Sequence, residues 1–595
     1  MRSAKRGEHQ YCPQAAKNIL GRRVIMAQEL GARPMRSMGL SKWWTDGGAL
    51  LTLTLLIFAG LILLPLFSLI TEAFTDNSGR LTFMNFIRAL QSRYNLNSII
   101  NTLALSGAVA LISLALSAIF SFGVTRTRMW GKGLFHATVL ISIISPGFLI
   151  AFAYVLLFGP NSGFINVAIR DLLGLETLVG PFNIYSLTGF VLLSVPMGIG
   201  ICSLQLIPSL TSLDSSMEEA SRIAGAGPVS TLFRVTFPII SPALFSGFIL
   251  TFTLTLATYG TAQVLGINVL SISIRQSLLV VDDMKEASVL SVLATVIAVI
   301  AVIIYRRSIR AQKRYETVGH RGARNTIVDI GSWRHVLTVM TFIYTFFACI
   351  LPYATLIYVS LLKATSLGFS WDNITFDHYT GLVTDAFTRN ALVNSLILSS
   401  VSAFIVVILG LVCGYILVRT KATGRDLVDY IAILPLGLAG TAFGIAVLVT
   451  YLNPPFQFLG LPGTLSILVL AYVAHYVSFG VRGIQTALMQ ISTELSEAAR
   501  MTGASKFKTL LDVDLPLIGG AIISVAALVF VLCFPELSMS IMLRSVDTQV
   551  VSTALLGRWE GEGGLQGAAA MAVLMFALIA VSLGLIYAAT IKRKK

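Results

Sequence analysis

The sequence predicts an all-α polytopic membrane protein of about twelve transmembrane helices, arranged as two parallel six-helix repeats. Three observations predict it. Of the 595 residues, 55% are hydrophobic and 12% charged, and the mean hydropathy is +0.81, too apolar for a chain whose surface faces only water. The apolar residues collect in runs of about 20 or more, the length at which a helix crosses a hydrocarbon layer about 30 Å thick. The third observation is an internal recurrence. Glu219-Ala220-Ser221, three residues, Gly225, nine residues and Val235-Thr236-Phe237-Pro238 return as Glu497-Ala498-Ala499, three residues, Gly503, nine residues and Val513-Asp514-Leu515-Pro516, every position 278 later. Nine of these twenty positions are identical, where roughly one match is expected from average residue usage.

In chain order, residues 1–48 form a basic tail with Arg2, Lys5, Arg6, Arg22, Arg23 and Lys42. No apolar core lies between these charges and a small-residue cleavage site, so the tail does not read as a secretory signal, and Met26 and Met35 are alternative starts. The first half, residues 49–305, holds spans near 49–72, 98–122, 134–159, 184–206, 238–262 and 286–305. A linker at 306–334 breaks the hydropathy with Arg306, Arg307, Arg310, Lys313, Arg314, Arg321 and Arg324. The second half, residues 335–591, holds spans near 335–362, 391–417, 427–452, 464–486, 516–538 and 567–590, and residues 592–595 close the chain as Lys592-Arg593-Lys594-Lys595. An even number of spans puts both termini on one face. Their Lys and Arg, with Arg126, Arg128 and Lys132 and then Arg419, Lys421 and Arg425 in short loops, make that face cytoplasmic. Both Glu-Ala segments fall on it.

A second recurrence sets the direction of the halves. Asn97, Asn101, Leu103, Leu105 and Ser106 return as Asn390, Asn394, Leu396, Leu398 and Ser399, 293 positions later. The halves are therefore parallel, and the first holds about fifteen extra residues before its Glu-Ala segment, most simply around Pro160 to Pro181. The net charge of +15 does not imply nucleic acid, because the basic residues cluster in short loops between spans. Cys12, Cys202, Cys349, Cys413 and Cys533 are odd in number and far apart, which fits packing rather than a disulfide framework or a metal knuckle.

The recurring segment reads as a helix, a glycine bend and a second helix. Asp214 or Ser215 caps the first copy, Glu218 and Glu219 favour the positive end of the helix dipole, and Gly225 ends the helix in a left-handed conformation. Pro228 suits the first turn of the following helix and Pro238 the start of the next span. In the second copy Ser492 or Thr493 caps, Gly503 stops, and Ser505 caps the helix that leads to Pro516.

Glu-Ala-Ala, three residues, Gly, nine residues, then an aliphatic, one residue and Leu-Pro resembles the cytoplasmic loop of the permeases of type I ABC importers, the binding-protein-dependent transport family. The resemblance covers both halves, roughly spans two to six of each, and excludes the tail and linker; Ser221 and Phe237 depart from the pattern. It implies the type I ABC importer permease fold and a bacterial inner membrane location. Loops 207–237 and 487–515 would then form coupling helices that dock in an ATPase subunit, through Glu219, Ala220, Arg222, Gly225 and Pro238 and through Glu497, Ala498, Arg500, Gly503 and Pro516. The chain has no phosphate-binding loop, since Gly131-Lys132 is followed by Gly133 and no glycine stands five residues before it. It is expected to be no enzyme and to bind no cofactor. ATP is used by a separate cytosolic ATPase, expected as a dimer, and a periplasmic or lipid-anchored solute-binding protein delivers the substrate.

Ser145-Pro146-Gly147, Ala257-Thr258-Tyr259-Gly260 and Pro535-Glu536-Leu537-Ser538 resemble ferric iron permeases, which makes ferric iron the expected substrate. Thr258, Tyr259, Glu536 and His475 are the candidate pathway residues, because polar groups within spans are costly unless they face a cavity or a partner. Local capping by Glu536 and simple packing by His475 stay open, as do aminoethylphosphonate, polyamine, thiamine and sulfate as substrates. Pro146, Pro196 and Pro435 are expected to kink their spans. A twelve-span secondary transporter is the competing class; its usual Gly, Asp and Arg signature after span two is met here by Arg126-Thr127-Arg128-Met129-Trp130-Gly131-Lys132, which lacks the acid. Paired carboxylates, His clusters and nucleophile motifs for a membrane enzyme are missing.

Overall fold

The computed structural model describes residues 47–174, 179–213, 215–316, 327–328, 330–365, 371–562 and 564–592. The basic N-terminal tail with Met26 and Met35, Asp214 and Arg593 to Lys595 lie outside them. Among the described residues ten helices are long and apolar enough to cross a membrane. The first half begins with α1 (Gly48–Ala73), α2 (Met84–Gln91) and α3 (Arg93–Arg126). It continues with α4 (Lys132–Ile144), α5 (Gly147–Phe158), α6 (Phe164–Leu173), α7 (Leu187–Ser212) and α8 (Ser215–Ile223). It closes with α9 (Leu232–Leu256), α10 (Gly260–Leu265), α11 (Leu270–Leu279) and α12 (Met284–Glu316).

The second half follows the same order. It opens with α13 (Trp333–Ser360), α14 (Asp377–Thr384) and α15 (Ala386–Arg419). Next come α16 (Asp426–Ile433), α17 (Gly440–Leu452), α18 (Leu465–Met489) and α19 (Thr493–Met501). Then come α20 (Leu510–Cys533), α21 (Ser540–Leu543), α22 (Val551–Gly557) and α23 (Gly564–Lys592). The helix expected to stop at 305 runs on to Glu316. The extra residues of the first half include α6, which has no helical counterpart of its length in the second half.

Two expected spans are corrected. The third, placed at 134–159, is broken into α4 and α5, which meet at 101°. The ninth, placed at 427–452, is α16, a 3-10 turn over Leu434–Gly437 and α17. Pro146 is extended at φ −61, ψ 124 before α5, and Ala439 at φ −65, ψ 133 before α17. The shared backbone shape keeps the break in both repeats although only one copy has proline there. Pro196 interrupts nothing: α7 runs through it.

Four π-turns recur at equivalent places. Ala59–Leu63, Leu232–Thr236, Phe346–Ile350 and Leu510–Asp514 each end two residues before Pro65, Pro238, Pro352 or Pro516. Proline cannot donate to the preceding turn and its ring crowds the carbonyl four residues back, so the helix widens by one residue instead of stopping. The helix after each Glu-Ala segment therefore enters its span without a corner. The matching turns in α1 and α13 also extend the repeat to span one, which the sequence recurrence had left out.

The repeated asparagines are structural. Asn101 donates its Nδ2 to the Asn268 carbonyl, and Asn394 donates to the Gln549 carbonyl, both at 2.9 Å. The neighbouring hydroxyls of Thr102 and Ser395 accept from the first amides of α11 and α22. Such bonds matter in hydrocarbon, where an orphaned backbone group finds no water. The first span of each half bridges to the other: α1 packs on α17 of the second half as well as on its own α12, and α13 on α5 of the first as well as on its own α23. Cys202, Cys349, Cys413 and Cys533 are buried free thiols.

Candidate functional site

Each Glu-Ala segment folds as a helical hairpin. In the second, the Ser492 hydroxyl caps α19 by accepting from the Glu494 amide at 3.2 Å, and Ser505 caps the next turn through the Lys508 amide. α19 ends as its sequence requires. The Ala504 amide reaches back to the Ala499 carbonyl over Gly503 at φ +91, and in the first copy Ala226 reaches Ser221 over Gly225 at φ +86. Nothing lies within 4 Å of where a β-carbon on either glycine would sit. These glycines are thus required by backbone conformation and not by crowding.

The side chains sort by burial. Glu219, Ala220, Pro238, Glu497, Ala498, Arg500 and Pro516 are exposed, as are Gly225 and Gly503; the Arg222 side chain lies outside the described set. Ile223 and Met501, equivalent residues at the helix tips, are each 88% exposed. Each hairpin thus carries an uncovered apolar side chain at its tip and an exposed carboxylate one turn before it. Glu218, read from the sequence as a dipole partner only, is instead buried and accepts from the Thr236 hydroxyl at 2.8 Å.

The second feature is a cavity of about 340 Å³ between the halves. The three short stretches singled out in the sequence meet there. A β-carbon on Gly147 would come within 2.8 Å of the Thr261 hydroxyl, and one on Gly260 within 2.8 Å of Phe148 and 3.1 Å of Leu537. Thr258, Tyr259 and Glu536 all line the cavity, with hydroxyls from Ser142, Ser145, Ser194, Thr255 and Tyr476. Glu536 is the one carboxylate of the lining, which contains no Lys, Arg, His or Cys. The break in the third span brings Ser145 here, a residue whose role the sequence did not disclose.

Glu536 also has the local role that the sequence left open. Its carboxylate accepts from the Met539 amide at 3.0 Å and from the Ser540 amide and hydroxyl at 3.1 Å, capping α21. Its own carbonyl accepts from the hydroxyls of Ser552 and Tyr472. Thr258 bonds back to the Leu254 carbonyl, and the buried Tyr259 hydroxyl reaches Gln263. His475 does not join them: its ring lies tilted against Phe443 on α17 and edge-on to Tyr476 on α18, outside the cavity lining. The contacts between the halves that the sequence reading did not give include the Phe152–Trp559 ring pair at 4.3 Å and the Gln263–Glu560 hydrogen bond at 2.8 Å. Among the described residues no group of three or more His, Cys, Asp or Glu side chains is placed to hold a metal ion.

Residues 117–312 and 387–595 match the family described as binding-protein-dependent transport system inner membrane component, and the chain belongs to that family. It is 25% identical to the ferric transport system permease protein FbpB of Actinobacillus pleuropneumoniae over 544 residues, 89% of this chain and 77% of that one. It is 26% identical over 259 residues to a putative 2-aminoethylphosphonate transport system permease, PhnU, of Salmonella paratyphi A, covering 43% of this chain and 89% of that one. A solved bacterial ABC transporter involved in alginate import aligns at 18% identity and a TM-score of 0.36, over 46% of this chain and 98% of that one.

Proposed function

We propose that this multi-pass permease subunit of a binding-protein-dependent ABC importer carries ferric iron, driven by an ATPase that grips its two hairpins. The observation that carries the substrate reading is the cavity lining: one carboxylate, many hydroxyls and no basic side chain. Oxygen ligands suit hard cations, whereas an anion in a low-dielectric cavity would need a cationic partner. A cargo must also leave, and scattered hydroxyls hold a cation less tightly than a chelating cluster would. The similarity to ferric transport permeases over most of the chain supports the same reading. The similarity to a 2-aminoethylphosphonate permease spans less than half of it, and a phosphonate fits the acidic lining poorly.

The chain binds no cofactor in this reading. The exposed faces of α8 and α19, with Glu219, Ala220, Arg222 and Gly225 and with Glu497, Ala498, Arg500 and Gly503, dock on a dimeric cytosolic ATPase. Pro238 and Pro516 carry each hairpin into its span. Both termini are cytoplasmic, and a solute-binding protein delivers iron to the opposite face. Nucleotide-driven closure of the ATPase then moves both hairpins and biases the halves between two arrangements.

The test is reconstitution of the chain with its ATPase and binding protein in liposomes. ATP-dependent uptake of ferric iron, and none of 2-aminoethylphosphonate, is expected. Uptake of the phosphonate in place of iron would refute the substrate reading. Uptake without any ATPase would refute the importer class.

A further inference from the structure

Each half ends its second span, a helix of 34 residues, on an arginine: Arg126 in α3 and Arg419 in α15. Both are withdrawn from solvent, and a guanidinium out of water needs acceptors. Arg419 places Nη2 2.9 Å from Asp514 Oδ1, and the same oxygen accepts the Ser496 hydroxyl at 3.2 Å. Asp514 closes the π-turn into Pro516 and Ser496 lies on α19. One arginine thus ties both arms of the hairpin to the end of a span.

In the first half the same two places, 278 positions earlier, hold Thr236 and Glu218. The carboxylate has crossed to the other arm. Thr236 donates to Glu218 at 2.8 Å, so the pairing survives with donor and acceptor exchanged. Arg126 donates Nη2 to the Leu213 carbonyl, just ahead of α8, at 3.1 Å. Its Nε and Nη1 are buried without an acceptor, which makes this the looser of the two connections.

We propose that Arg126 and Arg419 are the positioning residues that pass hairpin movement to the body of each half, Arg419 through its pair with Asp514 and Arg126 through the Leu213 carbonyl, each beside a carboxylate–hydroxyl clasp that joins the two arms of its hairpin. This rests on the reading of the hairpins as the ATPase contacts. Its second support is independent of that reading: the same carboxylate–hydroxyl clasp between the hairpin arms is built twice with its polar groups swapped, which a need for local packing alone does not require.

The test measures solute imported per ATP hydrolysed by the full reconstituted complex, at matched amounts of permease in the membrane. Asp514→Asn and Glu218→Gln, which keep shape and lose charge, are expected to lower that ratio at least about fivefold, the low end of typical coupling effects. Glu218→Ser is expected to fall likewise, and adding Thr236→Asp, which copies the second half into the first, to restore the ratio to within about twofold. An unchanged ratio in the charge-removing variants overturns the proposal, as does a double variant no better than Glu218→Ser. If the single variants fail to reach the membrane, the double variant decides alone, because it conserves the charge of the node. A joint Glu219→Ala and Glu497→Ala change separates the two readings: if it too leaves the ratio unchanged, the docking of the hairpins is wrong, whereas if it alone lowers the ratio, only the arginine joints are.

Discussion

Gly480→Ala tests how the second half is held together. At the crossing of α15 and α18 a β-carbon on Gly480 would lie 2.6 Å from the Val406 carbonyl oxygen and 2.6 Å from its Cγ1, and one on Gly410 would lie 2.7 Å from the Gly480 backbone. A rotamer change relieves the second contact but not the first, because a carbonyl inside a helix is fixed by its own ladder. The helices must separate by several tenths of an ångström, which costs about 1–3 kcal/mol as overpacking. The bilayer returns none of it, since lipid is as apolar as the side chains that would fill the gap. The expected outcome is earlier thermal unfolding of the detergent-purified chain, followed by labelling of its buried thiols, including Cys413 on α15. Gly107→Ala is the control, with nothing within 4 Å of its β-carbon position. Adding Val406→Ala should recover only part of the loss, because it removes the methyl contact and leaves the carbonyl. Unfolding of Gly480→Ala at the temperature of the Gly107→Ala control would refute the reasoning. The equivalent crossing of α3 and α7 is spaced differently, by a 2.8 Å hydrogen bond between Ser117 and Ser203.

Gly503→Ala and Gly225→Ala each force a left-handed backbone at a cost of about 1–2 kcal/mol; ATP-driven uptake in vesicles should fall while membrane levels hold, with Asn in place of Ala milder, and equal uptake would show that the bends are dispensable. Glu536→Gln keeps one acceptor oxygen for the α21 amides, puts an amide donor in place of the other and removes the charge, so uptake of a cation should fall while thermal stability drops only by the loss of this one capping bond. If only Glu536→Ala impairs uptake, the carboxylate is a cap and not a pathway group. Asp385 caps α15 and pairs with Arg558 at 2.6 Å; the Thr388 hydroxyl, then backbone amides and Arg558, hold its carboxyl below the ordinary 3.8. A depressed carboxylate adds stability above its ordinary range and loses it as pH falls through the folded value. Asp385→Asn should therefore remove part of the loss of stability below about pH 4, and unchanged acid-side unfolding curves would exclude this role.

The hairpins were largely legible in the sequence because their signals are local. A cap, an acidic first turn and a glycine at a fixed distance state a helix and its end within a dozen residues, as Ser492, Glu494 and Gly503 do. Their burial was not legible. Glu218 and Glu219 are neighbours of one type, yet one is buried and one exposed, since which face meets Thr236 depends on how the hairpin folds back. His475 shows a related limit: a polar residue in a span signals a partner or a cavity, and only the packing shows that two aromatic rings lie against it.

By itself the sequence determined the class of the chain, its two parallel halves and the bends at Gly225 and Gly503. Each follows from composition, run length or backbone preference, which act within a segment. Only the tertiary structure decided where the third span breaks, that Ser145, Thr258 and Glu536 share one cavity, and that Arg419 holds Asp514. Helices such as α5 are apolar on every side, so periodicity names no inward face. Contacts between residues this far apart in the chain are set by how such helices stack, which no local pattern encodes.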